Sequence, residues 1–387
     1  MKYILSITCI CMLYTLPLLG YSDTDKVNTF IDSLCKSLNV VGLKAIAVKD
    51  TSVIFDYSYG NILHCIDGEY VTAGFDDHAD LWRVASVTKN VIAMAVMQLC
   101  DRGKIKIDHD ANEYLPKYLR NPQYPDDAIT VRMLLSHYSS IAAGQYARKN
   151  YGGVEYIADR PGTKYVYSNI NYLLLALIIE HVTGERFDRY IQKNLFRSVG
   201  IFATFNPFEE KQCNLVYGKW FDKVRDTLFF CNTYHAYNKK KIDHYKLTES
   251  TKWLDPAGGL IITSVEMIKY LMFCMGATGF EYESVISEKS RRQMCVLRSS
   301  GKKYGLGTLD YSYILPGETL YGHTGYAYGI FSAMIYNPES KYGFLILCNG
   351  VEIDYPKALE ILHAPIVQKI YNCVIAKTKD DVIIAAN

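Results

Sequence analysis

Residues 81–90 read LWRVASVTKN, and an apolar run, VIAMAVM, follows at once at 91–97. Ser86 precedes Lys89 by three positions, a spacing that puts both side chains on one face of an α-helix. The pattern predicts a buried helix that ends near Gly103 and carries Ser86 at its N-terminus, where free N–H groups and the helix dipole favour developing negative charge. This position suits a nucleophile of acyl transfer. A serine that merely caps the helix fits the same tetrad, and the tetrad alone favours that simpler interpretation.

Two later segments reverse this balance. YSN at 167–169 follows a Pro-Gly turn and precedes a predicted helix, and HTG at 323–325 opens a predicted strand hairpin near the C-terminus. Ser-x-x-Lys, Tyr-x-Asn and His-Thr-Gly, in that order, resemble the motifs of the serine β-lactamase and penicillin-binding-protein-like family. Within that family the segments look most like the class C branch. This branch includes D-Ala-D-Ala carboxypeptidases, D-aminopeptidases, esterases and the animal β-lactamase-like proteins.

The likeness extends beyond these three motifs. ITVRMLLSH at 129–137 is similar to the family segment ITVRHLLTH, PAGGL at 256–260 to its AGGL turn, and YGLG at 304–307 to its YGLG. With GHTG at 322–325, the similarity spans roughly residues 40 to 370. From its sequence, the chain is therefore identified as a member of this family.

The resemblance implies a role for each candidate catalytic residue. Ser86 attacks the acyl carbon, Lys89 assists as a base or as a positive charge, and Tyr167 relays protons during acylation and deacylation. A serine hydroxyl is a weak nucleophile until a neighbouring base removes its proton, and both Lys89 and Tyr167 are candidates for that base. Because a tyrosine has an ordinary pKa near ~10, it needs a nearby cation to act as a base, and Lys89 would supply that charge.

The same resemblance implies a set of substrate-binding residues. Asn169 hydrogen-bonds the acyl-side amide of the substrate and orients Lys89, and its alternative role is to cap the following helix. Thr324 points towards the substrate, and His323 lines the same wall. Gly325 leaves room for the acyl group, which a side chain at that position would crowd.

The oxyanion hole is expected to consist of two backbone N–H groups, one from Ser86 and one from Tyr326. Donors of this kind stabilise the negative charge of the tetrahedral intermediate. Losing one of them typically costs on the order of 10²–10³ in rate.

His323 departs from true class C β-lactamases, which carry lysine at the corresponding position. A lysine presents a permanent cation to a substrate carboxylate, whereas a histidine is mostly neutral above pH ~7. The difference weakens assignment as a β-lactamase and favours a peptidase, an amidase or an esterase. It also predicts that carboxylate-bearing substrates are hydrolysed better at acidic pH, where the imidazole gains charge.

The coarse pattern of helices and strands predicts an α/β fold. Helical patterns occur at 23–38, 86–103, 131–136, 172–182, 187–195, 264–275, 287–295 and 356–371, and strand-like runs at 43–48, 52–59, 327–335 and 342–347. Strands at both ends with helices between them predict a discontinuous α/β domain, residues 23–85 and 254–387, and a mainly helical domain, residues 86–253. This is an antiparallel sheet flanked by helices plus a helical domain, the β-lactamase/transpeptidase-like fold, with the active site in the cleft between the domains.

The N-terminus has the layout of a signal peptide. Residues 1–22 contain one charge, Lys2, then an apolar stretch and small residues before position 23. Cleavage after Ser22 would release a secreted protein, extracellular or periplasmic, and residence in the lumen of the secretory pathway is also compatible. No later run approaches membrane length, so no stable membrane anchor is expected after signal removal.

The composition argues against several other classes of function. A formal net charge of +2 does not indicate a nucleic-acid partner. The nine histidines form neither H-x-H-x-D-H nor H-E-x-x-H, so no metal site is predicted. The G-x-S-x-G elbow of α/β-hydrolases is lacking, and GLG at 305–307 lacks the third glycine of a dinucleotide loop. We expect no cofactor and a small-molecule or peptide substrate as the partner, and the oligomeric state stays open.

The sequence thus predicts a secreted serine hydrolase that acts through an acyl-enzyme on an amide, a peptide or an ester. A true β-lactamase is one alternative, and a non-catalytic penicillin-binding-like scaffold or ligand-binding protein is another. The pocket walls are expected from the loops around 138–160 and 213–255. There the match to the family is weakest, so the acyl substrate is not predicted.

Overall fold

The computed structural model describes residues 21–67, 69–143, 154–209, 214–222, 224–232, 234, 237–277, 285–297, 304–353 and 355–376. Its α-helices are Tyr21–Ser37 (α1), Thr88–Asp101 (α2), Val131–Leu135 (α3), Asn169–Thr183 (α4), Phe187–Ile191 (α5), Lys239–Asp243 (α6), Ser264–Met275 (α7), Glu288–Met294 (α8) and Ala364–Ile370 (α9). Its strands are Gly42–Lys49 (β1), Ser52–Gly60 (β2), Ile62–Ile66 (β3), Glu69–Ala73 (β4), Trp82–Arg83 (β5), Ala203–Thr204 (β6), Gly218–Asp222 (β7), Thr227–Cys231 (β8), Ile261–Ile262 (β9), Leu309–Asp310 (β10), Tyr321–Ala327 (β11), Ile330–Asn337 (β12) and Tyr342–Cys348 (β13). Residues 1–20 of the predicted signal peptide lie outside the described residues.

A six-stranded antiparallel sheet forms the middle of the fold, in the order β10-β11-β12-β13-β1-β2. β1 and β13 come from distant parts of the chain and pair along their length, from Leu43 opposite Cys348 to Lys49 opposite Tyr342. Helices cover this sheet, so the predicted α/β fold class with an antiparallel sheet flanked by helices is confirmed.

Each face of the sheet packs on a separate hydrophobic core. Ile46 and Val48 of β1 face a core that includes residues of α2, α4 and α7, whereas Leu43 and Ala45 face a core with α1 and α9. Side chains alternate along a strand, so one strand contributes to both cores. This double coverage explains why β1 is a nearly continuous apolar run in the sequence.

The structure corrects the predicted strand at 327–335. Here β11 ends at Ala327 and β12 begins at Ile330, with Tyr328 and Gly329 forming a two-residue turn between them. Both turn residues have positive φ, 52° and 78°, as a type I′ hairpin turn requires. The run predicted as one strand therefore contains the turn of a hairpin.

The region predicted as mostly helical, 86–253, also contains short strands. Strands β7 and β8 form a hairpin within it, from Gly218 opposite Cys231 to Asp222 opposite Thr227. The helix predicted at 187–195 is a short α-helix continued by a π-helical turn, Gln192–Phe196.

The six-stranded sheet takes its strands from residues 42–60 and 309–348, and helices α2 to α8 lie between them in the sequence. This order agrees with a chain that leaves the sheet and returns to it. The domain limits themselves, 23–85 with 254–387 and 86–253, stay a prediction. None of the helices in the described ranges is both long and apolar enough to cross a bilayer.

Candidate active site

Ser86 lies in a single 3-10 turn, Ala85–Val87, which leads directly into α2. Ala85 has a φ of 45°, a left-handed conformation that residues other than glycine rarely adopt. The neighbouring backbone is fixed, because the Val84 carbonyl accepts a hydrogen bond of 2.8 Å from Ser332 Oγ on β12. The serine is therefore placed on a rigid turn just before the buried helix, close to the predicted position.

The Ser86 hydroxyl lies between the two other predicted catalytic side chains. Lys89 Nζ donates to Ser86 Oγ at 3.1 Å, and the Tyr167 hydroxyl donates to the same oxygen at 3.0 Å. Lys89 is one helical turn away, whereas Tyr167 is brought in by the segment that precedes α4. The structure thus brings all three predicted catalytic residues together around one oxygen atom.

Lys89 is completely buried beneath Ser86. Its ammonium group donates a second hydrogen bond of 2.6 Å to the Ala257 carbonyl, and lies 5.0 Å from the centre of the Tyr167 ring. Burial lowers the pKa of Lys89 to about 7, and the Asp255 carboxylate opposes that shift. An amine that is partly uncharged at neutral pH, within hydrogen-bond distance of a hydroxyl, can accept its proton.

Asn169 is the first residue of α4, so the predicted capping role falls instead on the preceding position. The N-cap is Ser168, which makes no side-chain capping bond. Asn169 Oδ1 is buried and has no hydrogen-bond partner among the described residues. Lys89 therefore makes no hydrogen bond to this oxygen, and Asn169 lies with Ser86 in the lining of the pocket.

The structure corrects the predicted role of the His323 side chain. The imidazole is only 2% exposed, its Nδ1 lies 2.6 Å from the Thr324 carbonyl, and its Nε2 lies 3.1 Å from the Tyr304 hydroxyl. Burial, and then the charge of Lys89, lower the pKa of His323 to about 3. A neutral ring with both nitrogens occupied does not offer a cation to a substrate carboxylate.

Thr324 also differs from the prediction, because its side chain lies on the other face of the sheet. Its hydroxyl is 3.1 Å from that of Tyr311, a residue of the core formed with α1 and α9. The cross-strand partner of Thr324, Ala333, belongs to that same core. The Thr324 side chain therefore lies on the face of β11 opposite to the Ser86 turn, whereas the sequence predicted that it points towards the substrate.

Gly325 is required by the close approach of β11 to the serine turn. A Cβ atom at this position would clash with the Val84 carbonyl oxygen and would lie only 2.9 Å from the Ser86 nitrogen. The glycine thus makes room for the backbone of the turn, whereas the sequence suggested room for the acyl group.

The Tyr326 N–H points away from β12. In the two-residue hairpin, Ala327 and Ile330 form the closing hydrogen-bonded pair, so the next pair, Tyr326 and Phe331, is a non-hydrogen-bonded one. The Tyr326 N–H therefore takes no part in the pairing of β11 with β12. This orientation is compatible with the predicted pair of oxyanion donors.

Ser86 opens onto a pocket of about 570 Å³. Its lining includes the aromatic residues Tyr237, Trp253 and Tyr328, the charged residues Arg83, Lys252 and Asp255, and Tyr326, whose ring packs on Phe331 in the core with α1 and α9. Several of these come from the predicted loop at 213–255, although the sequence did not identify them individually. In the part of the chain that the structure describes, no group of three or more His, Cys, Asp or Glu residues is arranged to hold a metal ion.

His137 is a further residue whose role the sequence did not identify. Its carbonyl accepts a hydrogen bond of 2.9 Å from the Val166 N–H, and its Nδ1 accepts one of 3.2 Å from the Ser168 N–H. These bonds hold the chain on both sides of Tyr167. The only sequence signal was the position of His137 at the end of the ITVRMLLSH segment.

The fold and the assembled site agree with comparisons to known proteins. The family model described as Beta-lactamase matches residues 27–365, so the chain belongs to the beta-lactamase family. Protein flp of Staphylococcus aureus strain MRSA252 is 22% identical over 367 residues, which are 88% of this chain and 66% of that protein. A putative D-alanyl-D-alanine carboxypeptidase of Escherichia coli K12 is 30% identical over 148 residues, 33% of this chain and 34% of that one. The chain spans between 56% and 66% of the length of the flp proteins it matches.

Solved structures share the same fold. A class C beta-lactamase in complex with cefoxitin superposes with a TM-score of 0.69 at 18% identity, covering 91% of this chain and 99% of that one. An octameric penicillin-binding protein homologue from Pyrococcus abyssi gives 0.66 at 23% identity, covering 88% and 77%. A D-stereospecific amidohydrolase from Streptomyces sp. gives 0.62 at 18% identity, covering 88% and 97%. The family and the fold are those of serine hydrolases, and the resemblance identified from the sequence is confirmed.

Proposed function

We propose that this protein is a serine hydrolase that acts through an acyl-enzyme on an amide, a peptide or an ester. The observation that carries the proposal is the Ser86 oxygen, which lies within hydrogen-bond distance of both Lys89 Nζ and the Tyr167 hydroxyl. A nucleophile and a candidate base in contact, with a third group beside them, is the arrangement that activates a serine.

In acylation, Ser86 Oγ attacks the carbonyl carbon of the substrate while its proton passes to the uncharged amine of Lys89. The carbonyl oxygen becomes an oxyanion, which the backbone N–H groups of Ser86 and Tyr326 stabilise. As the intermediate collapses, the bond to the leaving group breaks. The leaving amine or alkoxide then takes a proton through the Tyr167 hydroxyl, which Lys89 restores.

Deacylation repeats these steps with water as the nucleophile. Water adds to the acyl carbon and gives its proton to the Lys89–Tyr167 pair, and the bond to Ser86 Oγ then breaks. That proton returns to Ser86 Oγ, and the acid product leaves. The net reaction consumes one water and regenerates the serine.

The proposal is tested by covalent labelling with a fluorophosphonate probe and by hydrolysis of short-chain 4-nitrophenyl esters. Ser86→Ala is expected to abolish both, whereas Ser198→Ala, which changes an exposed serine, should leave both intact. Unchanged turnover in folded Ser86→Ala protein would rule out the serine mechanism. Folded wild-type protein that neither labels nor hydrolyses would favour the non-catalytic alternative.

A fluorescent penicillin separates this proposal from a true β-lactamase. The neutral, enclosed imidazole of His323 leaves the position of the class C lysine without a cation, which favours esters and amides over β-lactams. Labelling by fluorophosphonate without labelling by penicillin is the expected result. Rapid turnover of the penicillin would replace the esterase or peptidase proposal with β-lactamase activity.

We further propose that the protein is secreted, as the charge, apolar run and small residues of positions 1–22 indicate. N-terminal sequencing of material from the culture medium or periplasm should give a chain that begins near Asp23. Retention of residues 1–19 in an otherwise cytosolic product would contradict secretion.

A further inference from the structure

Lys252 brings a positive charge to the wall of the active-site pocket. Three of the described residues that line this pocket are ordinarily charged, and two of them, Arg83 and Asp255, form an ion pair with each other. Lys252 makes no ion pair with any described residue. Its Nζ lies 5.1 Å from the centre of the neighbouring Trp253 ring, a cation–π contact that holds the ammonium group beside the pocket.

The other basic side chains near Ser86 are committed elsewhere. Lys89 is buried, with its Nζ bonded to Ser86 Oγ and the Ala257 carbonyl. The His323 imidazole is enclosed between Tyr304 and a backbone carbonyl. In the described part of the pocket, Lys252 is therefore the basic group left to meet an anionic group of a ligand.

The surroundings of Lys252 strengthen such an interaction. Trp253, Tyr237 and Tyr328 contribute aromatic walls, and side chains of this kind exclude water from a bound ligand. A charge pair in a partly enclosed, apolar site is less screened than one on an open surface. Lysine acts as a point charge with three donors, which suits a carboxylate that approaches from the pocket.

We propose that Lys252 is a specificity-determining residue that binds a carboxylate of the substrate. The preferred substrates are then amides or esters that carry a carboxylate in addition to the scissile acyl bond, with apolar groups against the aromatic walls. The subsite lies on the wall formed by Lys252 and Trp253, at a different place from residues 323–325 of β11. This inference rests on the proposed serine hydrolase activity.

Two esters of equal chain length and the same leaving group test the assignment. The 4-nitrophenyl ester of pentanoic acid is neutral, and the 4-nitrophenyl monoester of glutaric acid carries a carboxylate at the end of a similar chain. The measured quantity is the ratio of kcat/KM for the anionic ester to kcat/KM for the neutral one. The wild-type ratio should exceed one and should decline as salt is added.

Lys252→Met keeps an unbranched stem against Trp253 and removes the charge. We expect the ratio to fall about tenfold, the size of a lost hydrogen bond to a charged group. Lys252→Glu should lower the ratio further, because it places like charges together. Lys240→Met removes an exposed lysine outside the pocket lining and should leave the ratio unchanged.

The outcomes separate the two proposals. If Lys252→Met has the wild-type ratio while hydrolysis still requires Ser86, the Lys252 assignment is overturned and the serine hydrolase proposal stands. If wild-type protein hydrolyses neither ester and does not react with fluorophosphonate, both proposals are overturned. A ratio that falls in both lysine-to-methionine variants would indicate a general effect of net charge, and this too would overturn the assignment.

Discussion

The imidazole of His137 packs against the phenol ring of Tyr167, with the two ring centroids 4.4 Å apart. The same histidine bonds the backbone N–H groups of Val166 and Ser168, one on each side of that tyrosine. Burial holds the pKa of His137 well below its ordinary range, so the ring stays neutral and its Nδ1 stays an acceptor. His137 therefore positions Tyr167, whose hydroxyl bonds Ser86.

His137→Asn should lower kcat about 10²-fold, the loss expected when a reacting group is displaced by roughly 1 Å. Asparagine tolerates the positive φ of 61° at this position, so the main change is removal of the ring. KM should change little, because His137 does not line the pocket. Ester kinetics and thermal unfolding are the measurements, with His181→Asn, at an exposed histidine on α4, as the control. Unchanged kcat in folded His137→Asn protein would contradict the positioning role.

The sequence predicted the residues that meet at the site better than it predicted their orientation. Ser86, Lys89 and Tyr167 lie in short motifs with fixed spacing, and these motifs could be recognised one by one. Strand β11 shows the limit. Alternation places His323 and Thr324 on opposite faces, but both faces of this sheet are buried, so the apolar pattern does not indicate which face holds the site.

The two hairpins that the sequence did not predict lack the usual signals of a turn. The turn after β11 consists of Tyr328 and Gly329, and a tyrosine with positive φ is not a turn signal. The β7–β8 hairpin turns near Asp226, also at positive φ, without an Asn-Gly or Asp-Gly pair. The β7–β8 turn is exposed, and the backbone N–H groups of Val224 and Arg225 donate to the side chain of Asp222 within it. The contact between Lys89 and the Ala257 carbonyl could not be predicted either, because it joins residues far apart in the chain.

The pH dependence of hydrolysis should report Lys89. Because burial lowers its pKa to about 7, the ammonium group loses its proton as the pH rises through neutrality, and only the uncharged amine accepts the Ser86 proton. We expect kcat/KM for a neutral ester to rise with pH, with an apparent pKa near that value. Lys89→Arg, which stays charged, should abolish the rising limb together with most of the activity. A rate that does not change between about pH 6 and pH 8 would argue against Lys89 as the base.

Asp255→Asn tests how much the Asp255 carboxylate contributes to the pKa of Lys89. The Asp255 carboxylate raises the pKa of Lys89 against the effect of burial, so its removal should move the rising limb to lower pH. The charge of Arg83, which pairs with Asp255, is then left uncompensated and acts in the same direction. Asp243→Asn, which breaks an exposed ion pair with Lys239, is the matched control. If kcat/KM rises over the same pH range in Asp255→Asn and in the control, the electrostatic coupling between Asp255 and Lys89 is excluded.

The side chain of His323 should not bind substrate carboxylates in a pH-dependent way, contrary to the expectation from sequence. Its pKa of about 3 keeps the imidazole neutral from about pH 5 to pH 9. We expect the rate ratio for the glutarate monoester and the pentanoate ester to stay constant over that range. A ratio that rises on acidification in wild type and is constant in His323→Gln would restore the hypothesis that the protonated imidazole binds the substrate carboxylate.

Gly325→Ala should destabilise the protein and impair labelling of Ser86. The added Cβ meets backbone atoms of Val84 and Ser86, which cannot move aside as the end of a flexible side chain can. Overpacking of this kind costs typically about 1–3 kcal/mol of unfolding free energy. Gly74→Ala is the control, since a Cβ there has no atom within 4 Å. Equal urea midpoints and equal labelling rates in the two variants would contradict the close-approach argument.

His363 should make the protein sensitive to acid. Its ring is 2% exposed at the end of the π-helical turn Leu359–His363, and neither ring nitrogen has a hydrogen-bond partner among the described residues. Burial lowers its pKa from 6.5 to about 4. Between those two values the unfolded chain binds a proton that the folded chain does not, so the unfolding free energy falls as the pH falls.

His363→Leu removes this effect. In wild type, His363 does not lower the unfolding free energy above about pH 6.5. Between about pH 6.5 and pH 4 it lowers the unfolding free energy progressively, by roughly 3 kcal/mol in total. The variant should therefore gain stability relative to wild type as the pH falls through that window. It should be at least as stable at neutral pH, because it removes unsatisfied buried nitrogens. Urea unfolding at several pH values measures the difference, in which the other buried histidines cancel because both proteins contain them. His244→Leu, at an exposed histidine, should instead run parallel to wild type, and a parallel curve for His363→Leu would show that His363 does not cause the acid sensitivity.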